Sequence, residues 1–394
     1  MSKFLDILER FKNGAATDEE VAIVNEEIEK HAAIEEYLAE EFENTMPDTP
    51  DNDDDGAGKR IARKVRFRIV GSVLIALLVI GALAAMVVYA CNSFYYDPNK
   101  GIEEIYGGDG QLLIDMWVFN ELHSPEYTTM NAEAWRDSPG CYQLRISQTN
   151  LFTGREEILT ERIVRGEAVM ANDRAISGYW RFPIGNAFGY REGGVVYIDE
   201  NGTEHRNSTE EMLQELIDEI KLLPASSRVE VYITFEHDLT LDEFAQFKNK
   251  WSDDLWFLYA AVLSREGYIP NTLGFSPDGG GIMLETLPSE YPYMQLFNHY
   301  DELQTDPAYV WEQHFRSLLN HLIDRPQFLE ALANINGISP HYYKEVLEYI
   351  DQNGMLVYGA LISGTGEDVL SFLENEDLAD FYVSDVRLSA LSRG

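Results

Sequence analysis

"KRIARKVRFRIVGSVLIALLVIGALAAMVVYAC", Lys59 to Cys91, decides how this chain is organised. From Ile69 to Cys91 it runs 23 residues without a charge, and 13 of them are Val, Ile, Leu or Met. As a helix the run is about 34 Å long, enough for a hydrocarbon core of about 30 Å. A helix in a soluble core would keep a polar stripe, and this one has none. Sixty-eight residues of mostly polar chain precede it, which is not the layout of a cleaved secretory signal. "VYAC" at Cys91 is a poor lipoprotein site, because Tyr89 is bulky and the preceding segment is long. The reading is a single membrane span.

Its flanks set the orientation. Lys59, Arg60, Arg63, Lys64, Arg66 and Arg68 crowd the N-terminal side, and "NSFYYDP" follows the span. Basic residues stay in the cytoplasm and aromatic rings favour the interface, so Tyr95 and Tyr96 are expected at the membrane surface. Residues 1–68 are then cytoplasmic and residues 92–394 extracytoplasmic, in a single-pass protein of the cell membrane. Gly81 and Ala85 form a small-xxx-small pair that chance explains in so Ala-rich a run.

Charge divides unevenly along the chain. Residues 1–58 carry a net −14, residues 59–91 carry +6, and residues 92–394 carry −30. The basic strip suits an anionic lipid bilayer. Neither soluble part offers the Lys/Arg face that phosphate contacts require, so direct nucleic-acid binding is not expected. Two cysteines, Cys91 and Cys141, exclude a disulfide scaffold and leave one bridge open.

The N-terminal piece reads as helix, turn, helix. Phe4, Leu5, Ile7, Leu8 and Phe11 keep helical spacing, and Thr17 with Glu20 forms a capping box for a second helix carrying Val21, Val24 and Ile28. Almost everything else on this unit is carboxylate. Two or three short helices make a thin core, which favours a docking element whose apolar stripe is covered by a partner. "NTMPDTPDNDDDGAG", Asn44 to Gly58, has the composition of a disordered tether. Its Asp51, Asp53 and Asp55 open like a calcium loop, but Ala62 stands where the closing Glu is needed. His31 has no thiols at zinc spacing.

The outer piece is expected to be β-rich at first. "QLLIDMWVF" (Gln111 to Phe119) and "CYQLRISQTNLF" (Cys141 to Phe152) have strand composition, and "EILTERIVRGEAV" continues after a turn at Gly154. A hairpin about Asn201-Gly202 and an amphipathic helix ending at Pro224 follow. Then "RVEVYITF", "LTLDEFAQFKNKW" and "DDLWFLYAAVL" make one β-α-β unit, and "GMLVYGALI", "GTGEDVLSFLENE" and "LADFYVSDVRL" make a second. Helices from about Asp306 to Asp351 separate them. The fold class is α+β: a short helical domain, one transmembrane helix, and an outer domain of split β-α-β (ferredoxin-like) units with an all-helical insertion.

Catalytic chemistry does not assemble. "SGTGED" (Ser363 to Asp368) lacks a dinucleotide glycine and a P-loop Lys, so it reads as a helix cap. "GFSPDG" is no nucleophile elbow, since Asp278 stands two residues after Ser276. His314 and His321 share a helix face two turns apart, too far for joint ligation. "DGGGIML" (Asp278 to Leu284) reads as a loop, and the Asn201 and Asn207 sequons carry little weight if the source is bacterial. No metal site, no cofactor and no enzyme activity are expected; the sequence points to binding.

Several stretches resemble a known family. "FKNGAATDEEVAIVNEEIEKHAAIEEYLAEE", the basic strip with its span, and "FYYDPNK" resemble the N-terminal part of the Firmicutes sigma-factor regulator family. "PASSRVEVYITFEHDLTLDEFAQFKNKW" and "YIDQNGMLVYGALISGTGEDVLSFLENEDLADFYVSDVRL" resemble its C-terminal part. The resemblance covers about residues 1–46, 59–120, 224–262 and 340–388. It implies a membrane-bound anti-sigma factor that holds an extracytoplasmic-function sigma factor away from polymerase and responds to envelope stress. The contact residues would be Leu5, Leu8, Phe11, Val24 and Ile28, with carboxylates steering the basic partner. The expected domains are 1–46 anti-sigma-like, 47–68 linker and basic strip, 69–91 span, 92–223 β-rich region and 224–394 regulator C-terminal domain. The alternative is a single-pass protein whose outer domain is a non-catalytic binding module for a cell-envelope component or a second membrane protein.

Overall fold

The computed structural model of the chain describes residues 17, 55–100, 110–169, 188, 195–198, 204–206, 210–224, 226–267, 269, 271–279, 290–333 and 338–388. Helix α1 (Asp55–Phe94) is 40 residues long. Within it Lys64–Ala90 is long and apolar enough to cross a membrane, the one such helix among the described residues. Ile69, Leu74, Ile75, Leu78 and Ile80 on it are more than half exposed, and the run leaves no polar stripe.

The second unit, from residue 81 onward, mixes helices with antiparallel sheets. Helix α2 (Gln111–His123) comes first. Strands β1 (Tyr127–Ser138), β2 (Cys141–Asn150), β3 (Glu156–Val164) and β4 (Glu167–Ala168) then form an antiparallel meander in sequence order. Gly154 turns β2 into β3 at φ +67°, a conformation that favours glycine. Strands β5 (Val195–Ile198) and β6 (Glu204–Arg206) pair as a separate two-stranded sheet, as expected; the Asn201-Gly202 turn lies outside the described residues.

Helix α3 (Glu210–Lys221) leads into β7 (Arg228–Thr240), α4 (Leu241–Trp251) and β8 (Leu255–Val262). Thr240 and Glu243 close a reciprocal capping box at the start of α4, which fixes where the strand ends and the helix begins. A helical excursion follows the short β9 (Gly274–Phe275). It comprises a 3₁₀ turn at Leu296–His299, α5 (Tyr300–Thr305), α6 (Pro307–Ile323), a turn at Pro326–Phe328, a π-helical turn at Leu329–Ala333, and α7 (Pro340–Asn353). The chain returns through β10 (Leu356–Thr365), α8 (Gly366–Asn375) and β11 (Leu378–Arg387).

The five-stranded sheet has the order β11-β7-β10-β8-β9, every neighbour antiparallel. Strands β7 and β8 of the first β-α-β unit are thus split by β10 of the second, the interleaving that the two units require. Alternation along β7 sends Val229, Val231, Ile233 and Phe235 into the main core and Tyr232 into a smaller one. On the main side Phe235, Phe244, Phe247, Phe257 and Phe372 meet edge to face, joining the sheet to α4 and α8. On the other side Tyr232, Tyr259 and Tyr358 gather around Phe188. Gly359 is required there: a Cβ would come within 2.6 Å of both the Ile233 carbonyl and the Phe188 ring.

One expectation fails. Gln111–Phe119 is not a strand but the body of α2, and residues 112–123 are all buried. A helix buried on every side shows no apolar stripe, so its composition imitates a buried strand. The main core runs from Tyr96 through α2 and the meander to the large sheet and its helices.

Candidate functional site

The six basic residues assigned to membrane orientation lie on α1, where Lys64, Arg66 and Arg68 are exposed. Leu5, Leu8, Phe11, Val24 and Ile28, with the helices, tether and His31 around them, lie outside the described residues. Cys141 is a free cysteine. Among the described residues no group of His, Cys, Asp and Glu side chains could hold a metal ion.

The chain leaving α1 is fastened within three residues. The Tyr95 ring lies against Gly140 and Gly166, two turn glycines at φ +73° and +84° where an added Cβ would come within 3.0 and 3.2 Å of it. Tyr96 is 3% exposed, packs edge-on against Phe328, and donates its hydroxyl to Asp115 Oδ2 at 2.8 Å. Asp97 accepts from Arg136 at 3.0 Å and from Tyr142 at 2.9 Å. The expectation of two interfacial tyrosines is therefore corrected for Tyr96, whose ring belongs to the core. Its hydroxyl finds a buried carboxylate instead of headgroup water.

Asp115 is the first of four polar residues that α2 carries into the core. It is fully buried, yet it accepts from Tyr96, from Gln111 at 3.1 Å and from His321 Nε2 at 2.8 Å, with Arg325 Nε at 3.4 Å. Asn120 donates to Thr129 Oγ1 and Gln148 Oε1, tying α2 to the meander. Glu121 Oε1 meets His314 Nε2 at 2.8 Å. Since His314 Nδ1 faces the Tyr293 carbonyl, which can only accept, Nδ1 carries a hydrogen, and one further proton is shared between Nε2 and the carboxyl. His123 faces the Thr272 carbonyl with Nδ1 and the Tyr343 hydroxyl with Nε2. A neutral ring satisfies both contacts, and burial pushes its pKa down to about 4.

These pairs complete a pattern that the sequence shows only in part. His314 and His321 do share one face of α6, but each reaches back to a carboxyl on α2, more than 190 residues earlier. The available signal was local: Asp115 and Glu121 sit inside an apolar run, and buried acids need partners.

A cleft of about 210 Å³ opens beside α2. Its walls include Trp117, Tyr127, Trp256 and Tyr259, and Glu121 and Asp278 are its acidic members. Asp278, expected in a loop, pairs with Lys248 at 2.6 Å, and residues 280–289 lie outside the described set. The Ser363–Asp368 stretch caps α8, with Thr365 accepting from the Asp368 amide at 3.2 Å, as the sequence indicates.

A second group of acids sits on the tyrosine side of the large sheet. Glu230 is 1% exposed and accepts from Ser384 at 2.6 Å, while Glu126 accepts from Tyr232 at 2.8 Å. Burial, then the charges of Glu126 and Asp385, raise the Glu230 pKa to about 7 against the help of Ser384 and Arg228. An acid whose folded pKa is raised favours the protonated fold. Its stabilisation is complete below about pH 4.5, declines as pH rises, and is lost above about pH 7, a swing of roughly 3 kcal/mol. Glu230→Gln should therefore gain on the wild type as pH rises from 5 to 8. Thermal midpoints of the two proteins across that range check this; a gap independent of pH contradicts it.

No curated protein and no solved structure matches this chain. Residues 220–384 match the family model for the sigma factor regulator C-terminal domain. That segment contains the large sheet and the excursion, and it supplies Thr272, His314, His321 and Tyr343 to an α2 lying outside the match. The family is regulatory, not catalytic, and the match supports an anti-sigma factor role. Residues 220–384 of this chain are therefore similar to the C-terminal domain of the sigma-factor regulators, which supports that family.

Proposed function

We propose that this protein is a membrane-anchored anti-sigma factor for an extracytoplasmic-function sigma factor. Its N-terminal helices, residues 1–46, bind the sigma factor in the cytoplasm; α1 crosses the membrane; the domain beyond it senses the cell envelope. The observation that carries the reading is the regulator match at residues 220–384 on the same chain as a helix able to span a bilayer. The basic strip at the N-terminal end of that helix supports the orientation. Fixing Tyr95, Tyr96 and Asp97 immediately after α1 leaves little slack between the span and the outer core. A rearrangement of that core is then felt at the end of the span.

The test is co-purification. Full-length chain extracted from membranes in mild detergent should retain a sigma factor, and the same chain lacking residues 1–46 should not. Retention of nothing by the full chain overturns the reading in favour of an outer binding module. The aromatic cleft is the feature that favours this second reading.

A further inference from the structure

The end of the meander that holds the chain leaving α1 is tied closely to the end of the apolar run. Its two turns are joined, the Arg165 amide donating to the Gly140 carbonyl at 2.7 Å, and the Tyr95 ring lies against both. The uncharged run stops at Cys91, and α1 continues only to Phe94. Tyr95 is therefore about 6 Å beyond the last residue of the run. The headgroup layer on each side of a bilayer is about 5–8 Å deep, so a spanning α1 puts both turns at its depth. Charge sorts in the same direction. Residues 92–394 carry a net −30, yet residues 134–145 and 160–169, the strand ends that meet at these turns, hold four arginines against three acids. A strongly acidic domain approaches a layer of phosphates best at such an end.

The two faces of these strand ends differ. Tyr142, Leu144 and Ile163 point into the core. On the outer face the register sets Trp135 beside Gln143 and Gln143 beside Arg162, and the Val169 amide donates to the Arg162 carbonyl. Trp135 is 50% exposed and Val169 47%. Among the described residues neither the Trp135 indole nor the Arg165 guanidinium has a hydrogen bond, ion pair or ring contact, and both are exposed. An indole with an apolar body and one N–H suits the headgroup layer, and a guanidinium suits a phosphate. We propose that this face of the meander rests on the lipid headgroups where α1 emerges, with the Trp135 indole among them and Arg165 on a lipid phosphate. The proposal rests on the reading of α1 as a span and deepens it: the bilayer surface, as well as the short connection, fixes the tilt of the outer domain.

The test uses full-length chain labelled with 5-fluorotryptophan, in nanodiscs of phosphatidylcholine and phosphatidylglycerol with a nitroxide on some headgroups. Fluorine resonances of Trp135 and Trp256 are assigned with Trp135→Phe and Trp256→Phe. Trp256, 60% exposed, is the control. It stacks with Arg228, which lies against Phe152 at the far end of β2, a strand of ten residues and about 30 Å. The nitroxide should speed relaxation of Trp135 at least about fivefold more than that of Trp256. Arg165→Asn, a residue type that also adopts positive φ, should cut the enhancement at Trp135 about twofold with an unchanged melting midpoint. Chain that alkaline carbonate strips from the bilayer overturns the span reading and this proposal together. Chain that stays embedded while Trp135 relaxes no faster than Trp256 overturns the proposal alone, and an Arg165→Asn variant that leaves Trp135 unaltered overturns the phosphate contact.

Discussion

Asp115→Ala should destabilise the outer domain by about 3–5 kcal/mol, the usual cost of removing one partner from a buried charged network. In a domain of this size that is a fall of roughly 6–20 °C in the thermal midpoint. The size follows from how many groups depend on one carboxylate. Tyr96, Gln111 and His321 all donate to it, and Arg325 lies beside it. His321 is fully buried and its Nδ1 has no other partner, so removing Asp115 leaves the whole ring unpaired in the core. Nearby water cannot simply replace the acid, because both ends of the His321 pair are sealed from solvent. The pair should also behave as a unit. Asp115→Leu combined with His321→Leu should cost clearly less than the sum of the single changes, since replacing both partners leaves no unpaired group within the pair itself, while the loss of the acceptor for Tyr96 and Gln111 is common to the Asp115 single change and the double. Additive losses, or a loss below about 1 kcal/mol for Asp115→Ala, would show that the network is not what holds α2.

The second large effect concerns the N-terminal helices. Leu8→Asp should reduce retention of the sigma factor at least about thirtyfold, equivalent to about 2 kcal/mol, the threshold of an interface hot spot. In the proposal the contact stripe, Leu5, Leu8, Phe11, Val24 and Ile28, would supply the apolar area buried against the partner, in a segment whose remaining residues are rich in carboxylates. A charge in its middle would be desolvated against the partner without compensation. Neutralising a carboxylate off that stripe, as in Glu36→Gln, should change the association rate and its salt dependence far more than the dissociation rate. Pull-down and surface kinetics on the two variants separate these outcomes. Equal loss from both would mean that charge, not the apolar stripe, holds the complex.

How much of this was legible depends on the range of the signal. The span was readable because 23 uncharged residues are a local property, and both β-α-β units were readable because strands and capped helices announce themselves within about a dozen residues. The cap at Thr365 was read correctly for the same reason. Helix α2 was misread because its periodicity vanishes when every face is buried. Tyr96 was placed at the membrane surface because its sequence context is juxtamembrane, while its partner Asp115 lies 19 residues on. The links from Glu121 to His314 and from Asp115 to His321 span 193 and 206 residues, beyond any spacing rule. The cleft likewise draws on α2, β8 and the chain after β9, and no stretch of sequence contains it.

The most direct measurement is protease shaving of intact cells carrying one epitope beside Ser2 and another beside Gly394. The account predicts that the protease removes the Gly394 tag and leaves the Ser2 tag until the membrane is permeabilised. Loss of the Ser2 tag from intact cells, with the Gly394 tag protected, would contradict it.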